Sequence, residues 1–132
     1  MRILNWEEFD ACIKSITISC EGKYFTGVYG VPRGGLCLAV ALSHSLNIPL
    51  LKELKRGCLI IDDVYETGLT LNNLSNTPDT TTFVWFSKVT PLWWNAVETT
   101  NSDEWLVFPW ENKILASEEL KAYQLSRANQ HD

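Results

Sequence analysis

The feature that most constrains the fold is a short apolar run that ends abruptly in acidic residues. Residues 58–61 are apolar, and Asp62 and Asp63 follow them directly. A run of this length is typical of a strand buried on both faces of a parallel sheet. We therefore expect the strand to end at Ile61, with both carboxylates at its carboxyl end. In open α/β sheets the crevice at that end binds ligands, so the sequence predicts a ligand site here.

The turn after this strand has the composition of a phosphate cradle. It consists of Glu66 followed by Thr67-Gly68-Leu69-Thr70. Gly68 allows a tight turn and close approach of the backbone. The two threonine hydroxyls lie beside amides that are free where a helix begins, which suits a phosphate group. The alternative is an ordinary acidic turn, but adjacent carboxylates repel each other, and such a turn does not require them.

A second strand–turn–helix unit precedes the first. Residues 28–30 read as a buried strand, Pro32-Arg33-Gly34-Gly35 as the turn, and residues 36–46 as an apolar helix. Free amides at the helix start can face an anion, and Arg33 can add a bidentate charged contact. From these residues alone, an anion-binding loop and a plain βα turn with a surface arginine are equally supported.

The remaining pattern predicts alternating strands and helices. A first helix spans Trp6–Ser19, with Asn5 and Glu8 forming a capping box. Further elements are expected as strands at 48–51, 81–86 (central) and, more weakly, 96–99, and as helices at 71–75 and 117–125. This alternation predicts a single α/β domain over residues 1–132, with a doubly wound, mainly parallel sheet and helices on both faces.

Bulk properties exclude several classes of protein. The chain has 132 residues, a net charge of −5 and no cluster of basic residues, so duplex nucleic acid is not an expected partner. It shows no run of membrane-span length and no signal peptide, so no membrane partner is expected and the cytoplasm is the expected location. The four cysteines lack metal-ligand spacing and are interpreted as reduced, mostly buried thiols.

Both turns resemble motifs of the type I phosphoribosyltransferases. Residues 58–71 are similar to that family's motif for phosphoribosyl pyrophosphate (PRPP), and residues 31–36 to its pyrophosphate loop, in the same order. The resemblance implies that Asp62 and Asp63 hold the ribose hydroxyls. It implies that PRPP is also bound by Arg33, Gly34, Gly35, Glu66, Thr67, Gly68, Leu69 and Thr70.

Within that family the chain is most similar to the short bacterial xanthine-guanine enzymes, over residues 28–111. This similarity implies a small C-terminal hood in which Trp105 stacks on a purine and Leu106 binds it through the backbone. It also implies that Lys88 contacts the purine. From the residues alone, a solvated lysine and a core tryptophan are favoured instead. The resemblance further implies Mg²⁺, bound mainly through PRPP with Asp63 and Glu111 as protein ligands, and a homo-oligomer, either a dimer or a tetramer.

The chain departs from the family in two places. Glu66 stands where an aspartate is usually the candidate base at purine N7, and only residues 52–57 replace a long mobile loop. The expected function is transfer of the phosphoribosyl group of PRPP to a 6-oxopurine, with Glu66 and Arg33 as catalytic residues. A PRPP- or nucleotide-binding module with little turnover is the alternative. A receiver-type phosphoacceptor domain fits poorly, since it does not account for the two glycine-rich turns.

Overall fold

The structure is a computed structural model that describes residues 1–130. It contains two compact units, Asp10–Ser102 and a terminal unit formed by Met1–Phe9 with the residues from Asp103 onward. The elements, in chain order, are β1 (Arg2–Ile3), α1 (Trp6–Ser19), β2 (Val28–Gly30), α2 (Leu36–Leu46), β3 (Leu50–Leu51), β4 (Leu59–Tyr65), α3 (Leu69–Leu74), β5 (Thr81–Ser87), β6 (Asn95–Thr99), β7 (Leu106–Val107) and α4 (Lys113–Gln130).

The larger unit is built on a five-stranded sheet in the order β3-β2-β4-β5-β6, and every neighbouring pair is parallel. From β2 the chain passes through α2 to β3 on one side, whereas from β4 it passes through α3 to β5 on the other. The loops after β2 and β4 therefore leave in opposite directions and open a crevice between the two strand ends. This is the topological switch point at which open α/β sheets bind ligands.

Strand β4 is longer than predicted, and the expectation that it ends at Ile61 is wrong. It continues through both aspartates to Tyr65, where it pairs with Ser87 of β5. Gly30, the last residue of β2, pairs with Ile61. Of the four residues beyond Ile61, Asp62, Val64 and Tyr65 pair with β5, and the other edge of this segment faces the crevice. This placement explains how polar residues can continue a strand that begins fully buried.

The connection from β3 to β4 is fixed at the opposite end of the sheet from the crevice. The Thr26 amide donates to Gly57 O at 3.1 Å, and the Thr26 hydroxyl donates to Arg56 O at 2.8 Å. The Gly57 amide donates to Pro78 O, and Arg56 pairs with Asp79 at 2.8 Å. Thr26 precedes β2, and Pro78 and Asp79 precede β5, so these contacts hold the connection at the amino ends of the strands.

Several helix and strand bounds differ from the predictions. Helix α4 begins at Lys113, not Ser117, because Asn112 Oδ1 accepts the amides of Ile114 and Leu115 and so caps it. Helix α3 begins two residues earlier than predicted, and β3 is two residues shorter. Strand β5 lies between β4 and β6 in the interior of the sheet, as predicted.

Other predictions are confirmed. Helices α1 and α2 have the predicted bounds, and the amides of Asn5 and Glu8 each bond the other's side chain, at 3.1 and 2.8 Å. Within residues 1–130 the cysteines are unpaired, and three of the four are buried. None of the helices described is both long and apolar enough to cross a membrane. The terminal unit holds a strand that was not predicted from the sequence, β1, which pairs in parallel with β7.

Candidate functional site

The acidic pair on β4 is hydrogen-bonded to its own backbone. Asp62 Oδ1 accepts the amide of Asp63, and Asp63 Oδ1 accepts the amide of Val64, each at 2.8 Å. Burial, together with the neighbouring charge of Asp63, raises the pKa of Asp62 to about 8. Burial also raises the pKa of Asp63, although its hydrogen bonds act in the opposite direction. At neutral pH the pair therefore holds a proton and can both donate to and accept from hydroxyl groups.

The loop after β2 lies directly on this acidic pair. A Cβ atom added at Gly34 would overlap the carboxyl group of Asp63, and one added at Gly35 would overlap the carbonyl oxygen of Ile61. The Val31 amide also donates to Ile61 O at 2.9 Å. Only glycine permits this approach, so the two predicted turns form one crevice, as their sequences indicated. Arg33 is exposed at its rim and follows a cis peptide bond.

The turn after β4 forms a small cradle. Gly68 adopts a left-handed conformation, with φ of 75°, and α3 begins at the next residue. Thr67 Oγ1 accepts the Leu69 amide at 3.4 Å, a long hydrogen bond that an anionic oxygen could replace. A cavity of about 160 Å³ is lined by Asp62 and residues 64–71. The predicted phosphate turn thus has exposed threonines and a concave surface beside the acidic pair.

An aromatic cluster that was not predicted from the sequence supports this cradle. The Tyr65 ring stacks on Trp94 with centroids 3.7 Å apart, and Trp93 meets both rings edge-on. A Cβ atom at Gly68 would overlap the Tyr65 hydroxyl, so the turn rests on this ring. The Trp93-Trp94 pair after a strand was the signal available in the sequence.

Two predicted site residues from separate segments form an ion pair. Lys88 Nζ lies 2.7 Å from Glu66 Oε1; the lysine side chain is 13% exposed and that of the glutamate 54%. The Lys88 amide also donates to Tyr65 O at 2.9 Å, which fixes the lysine at the end of β5 beside the turn. Each residue was predicted to act at the base, but their contact with each other was not predicted.

A second cavity lies beyond Lys88, between the carboxyl ends of β5 and β6. It measures about 300 Å³ and is lined by Lys88, Val89, Thr90, Thr99, Thr100 and Asn101. Only the lysine was predicted as a site residue. The other lining residues could have been found from the hydroxyl and amide side chains at the end of the strand predicted at 96–99. Like the acidic pair, these polar side chains lie at the carboxyl end of a predicted strand.

The predicted hood residues lie in the terminal unit. Trp105 packs on Tyr123 with ring centroids 5.5 Å apart, and its buried Nε1 has no hydrogen-bond partner among the residues described. Leu106 pairs with Arg2 between β7 and β1. Glu111 Oε1 accepts the Phe108 amide at 3.0 Å, which closes the turn before α4.

The acidic pair has the oxygen ligands that Mg²⁺ prefers. Within residues 1–130 there is no cluster of three or more side chains able to hold a metal on their own. Mg²⁺ is usually bound through one or two carboxylates plus substrate phosphates, and Asp62 and Asp63 could supply those carboxylates.

A parallel sheet with these two loops at its switch point defines a doubly wound α/β protein with the fold of the type I phosphoribosyltransferases. The structure is similar to a purine phosphoribosyltransferase from Pyrococcus horikoshii, with 26% identity, a TM-score of 0.70, and coverage of 83% of this chain and 93% of that one. It is similar to the Helicobacter pylori xanthine-guanine-hypoxanthine phosphoribosyltransferase, with 18% identity, a TM-score of 0.69, and coverage of 92% and 98%.

A Neisseria gonorrhoeae protein solved with bound ppGpp also shares the fold, at 17% identity and a TM-score of 0.64, with coverage of 90% and 94%. No protein-family model and no curated protein matches the chain. The resemblance to the type I phosphoribosyltransferases, and to their short purine members, is thus confirmed by the structural neighbours.

Proposed function

We propose that the protein transfers the phosphoribosyl group of PRPP to a 6-oxopurine and releases pyrophosphate. The observation that carries the proposal is the contact between Gly34 and Asp63, which joins a pyrophosphate-type loop to a ribose-type acidic pair in one crevice. The cradle of residues 66–70 takes the 5′-phosphate, and Arg33 with the amide of Gly34 takes the pyrophosphate. The Gly35 amide already donates to Val31 O at 2.8 Å and shapes the loop instead. Similarity to the Pyrococcus horikoshii purine enzyme supports this assignment.

The chemistry is a displacement at C1 of the ribose. The lone pair of purine N9 forms the new bond to C1 while the bond from C1 to the pyrophosphate oxygen breaks, and its electron pair leaves with pyrophosphate. Arg33 and the Gly34 amide stabilise the charge that develops on this leaving group. Glu66 accepts the N7 proton, and Lys88 donates to the 6-oxo group.

Mg²⁺, when bound with PRPP, would neutralise pyrophosphate charge, and the carboxylate oxygens of Asp63 are its proposed protein ligands. The acidic pair orients the ribose by hydrogen bonding to its hydroxyls. Neither carboxylate is required to take a proton from the substrate in this scheme.

The direct test is incubation with PRPP, Mg²⁺ and one purine at a time, followed by mass spectrometry. Nucleoside monophosphate should form with guanine, xanthine or hypoxanthine in preference to adenine, whose 6-amino group would meet Lys88 donor to donor. A better yield with adenine or a pyrimidine would contradict the base assignment. Absence of product despite PRPP binding would contradict the transferase assignment.

One observation favours a second candidate, a PRPP- or nucleotide-binding module with little turnover. The connection that replaces the family's mobile loop is bonded at the amino ends of the strands, away from the crevice. A closing loop normally excludes water and completes the site. Tight PRPP binding without nucleoside monophosphate would identify this second function.

A further inference from the structure

The buried side chain of Trp94 connects two parts of the candidate site, the phosphate cradle and Lys88. Trp94 directly precedes β6. Its ring stacks on Tyr65 with centroids 3.7 Å apart, and its Nε1 donates to Ser87 Oγ at 3.1 Å. Tyr65 and Ser87 are the last residues of β4 and β5, and they pair with each other in the sheet. One side chain therefore contacts the ends of both strands that lead into the site.

The contact with Tyr65 acts on the cradle. The Tyr65 hydroxyl lies where a Cβ atom of residue 68 would be, and it donates to Asn72 Oδ1 on α3 at 3.4 Å. The tyrosine thus touches both the turn and the helix that follows it. Because stacked aromatic rings prefer a defined geometry, Trp94 restricts how far the Tyr65 ring can move beneath the turn.

The contact with Ser87 acts on Lys88. The buried Ser87 hydroxyl accepts the indole N–H of Trp94 and donates to Val89 O at 2.6 Å. This second bond spans Lys88, the residue between them. The Lys88 amide donates in turn to Tyr65 O at 2.9 Å. Trp94 therefore fixes the serine that closes the backbone around the lysine.

Neither polar group of this contact has an easy substitute. A buried hydroxyl and a buried indole N–H each require a hydrogen-bond partner, and Ser87 and Trp94 supply one to each other. Removing one of the two leaves the other without that partner at a buried position, which costs more than the net value of the bond.

We propose that Trp94 is a positioning residue that holds Lys88 and the phosphate cradle in a fixed relative position. Its ring acts on the cradle through Tyr65, and its N–H acts on Lys88 through Ser87. The inference rests on the proposed function, in which the cradle binds the 5′-phosphate of PRPP and Lys88 binds the base. Because the two contacts use different atoms of one side chain, they can be removed separately.

The test separates the ring from its N–H group. Trp94→Phe keeps a ring that can stack on Tyr65 but removes the donor to Ser87. The KM for guanine should rise roughly threefold to tenfold, since the lost positioning is worth at most one neutral hydrogen bond, and the Kd for PRPP should stay near wild type. Trp94→Leu removes both contacts and should raise both constants. Steady-state kinetics and calorimetric titration measure them.

Ser87→Ala removes the other end of the same hydrogen bond. It should raise the KM for guanine and leave the Kd for PRPP near wild type, as Trp94→Phe does. The double variant should be no worse than Ser87→Ala alone, because the two substitutions remove one shared contact. Effects that multiply in the double variant would contradict the proposal.

Two controls match these changes. Ser43→Ala removes a serine-to-carbonyl hydrogen bond of the same length, 2.6 Å to Ile48 O, near the end of α2. Trp6→Phe makes the same aromatic change at an exposed position, the first residue of α1. Both variants should keep the wild-type KM for guanine and Kd for PRPP.

The outcomes separate the two proposals. PRPP binding and transfer by the wild type, with an unchanged KM for guanine in Trp94→Phe, would overturn the positioning role alone. An equal rise of both constants in Trp94→Phe would also overturn it, since a merely structural effect acts on both. If PRPP binds without transfer, the Kd of guanine for the PRPP-saturated protein replaces its KM. Failure of the wild type to bind PRPP, or to bind guanine beside it, would overturn the proposed function and the positioning role with it.

Discussion

At the scale of single residues, the acidic pair on β4 is unfavourable for stability but suited to binding a ligand. Asp62 and Asp63 are adjacent, mostly buried and hydrogen-bonded to consecutive amides. Burial of two neighbouring carboxyl groups disfavours their ionisation, which is why the pKa of Asp62 is raised to about 8. Ligand hydroxyls or a divalent cation would satisfy carboxyl groups that otherwise share a proton.

This raised pKa predicts that the protein becomes less stable as pH rises. The pKa of Asp62 is about 8 in the folded chain, against an ordinary value of 3.8, so its contribution is fully present below about pH 4 and is lost as pH rises through about 8. The free energy of unfolding should fall by at most about 1.4 kcal/mol per pH unit in this window. In the variant Asp62→Asn the free energy of unfolding should depend less on pH. The variant should be more stable than wild type above about pH 8.

Urea unfolding followed by tryptophan fluorescence at several pH values would measure this slope. Asp10→Asn, at an exposed position on α1, is the control and should leave the slope unchanged. A wild-type curve that stays flat through this pH range would show that the pair ionises freely in the folded state.

Glu66 gives a second prediction at the residue scale. If it accepts the N7 proton, Glu66→Gln should lower kcat by about 10²–10⁴-fold and leave PRPP affinity nearly unchanged. Glu66→Asp should retain more activity, although its side chain is shorter and must shift to keep its contact with Lys88. Steady-state kinetics of both variants decide the point. Near-wild-type kcat in both would leave catalysis to positioning and charge stabilisation alone.

At the scale of elements, the turn between β4 and α3 depends on what lies beneath it. Gly68 has φ of 75° and lies against the Tyr65 hydroxyl, whereas Gly22 has φ of 76° but open space where a Cβ atom would lie. Gly68→Ala should destabilise the fold by about 1 kcal/mol from backbone strain, plus the cost of displacing Tyr65. Gly22→Ala should be destabilised by the backbone strain alone.

Urea unfolding measures the loss of unfolding free energy in both variants. The difference between the two losses is the contribution of the Tyr65 contact. Displacing Tyr65 would also disturb its stack on Trp94, so Gly68→Ala should change the near-ultraviolet circular dichroism and weaken PRPP binding. Equal stability of the two variants would mean that the turn does not rest on Tyr65.

Local signals in the sequence predicted some elements well and others poorly. The capping box of α1 and the left-handed Asn47 after α2 are local, and both helices have the predicted bounds. The predicted end of β4 was wrong because pairing with β5, a long-range contact, extends the strand through polar residues. Strand β1 was missed because its two residues exist as a strand only by pairing with β7, far along the chain.

In the candidate site, too, local sequence patterns predicted some features and not others. Its two loops and their common crevice followed from strand–turn–helix patterns, each readable within a short segment. The Glu66–Lys88 pair was not predictable from local patterns. It depends on β4 and β5 lying side by side, an order that the sequence does not state.

At the scale of the whole molecule, the short connection between β3 and β4 affects how the crevice can work. Its contacts with Thr26 and Pro78 hold it at the amino ends of the strands. It therefore cannot act as the closing loop that the family places in this part of the chain. A site left open to solvent exchanges ligands quickly but excludes water poorly, so the chemical step is expected to be slow relative to product release.

Chemistry, not loop opening, is therefore expected to limit kcat. Rapid mixing of enzyme, PRPP and guanine should show linear product formation without an initial burst, since no slow step follows the chemistry. Added sucrose should leave kcat unchanged, because raised viscosity slows loop motion and product release but not bond breaking. Thr26→Val, which removes the hydroxyl contact to Arg56 O, should also leave kcat unchanged, because that contact lies away from the crevice. A burst with an amplitude close to one product per active site would contradict the prediction. It would show that a step after transfer, such as product release, limits kcat.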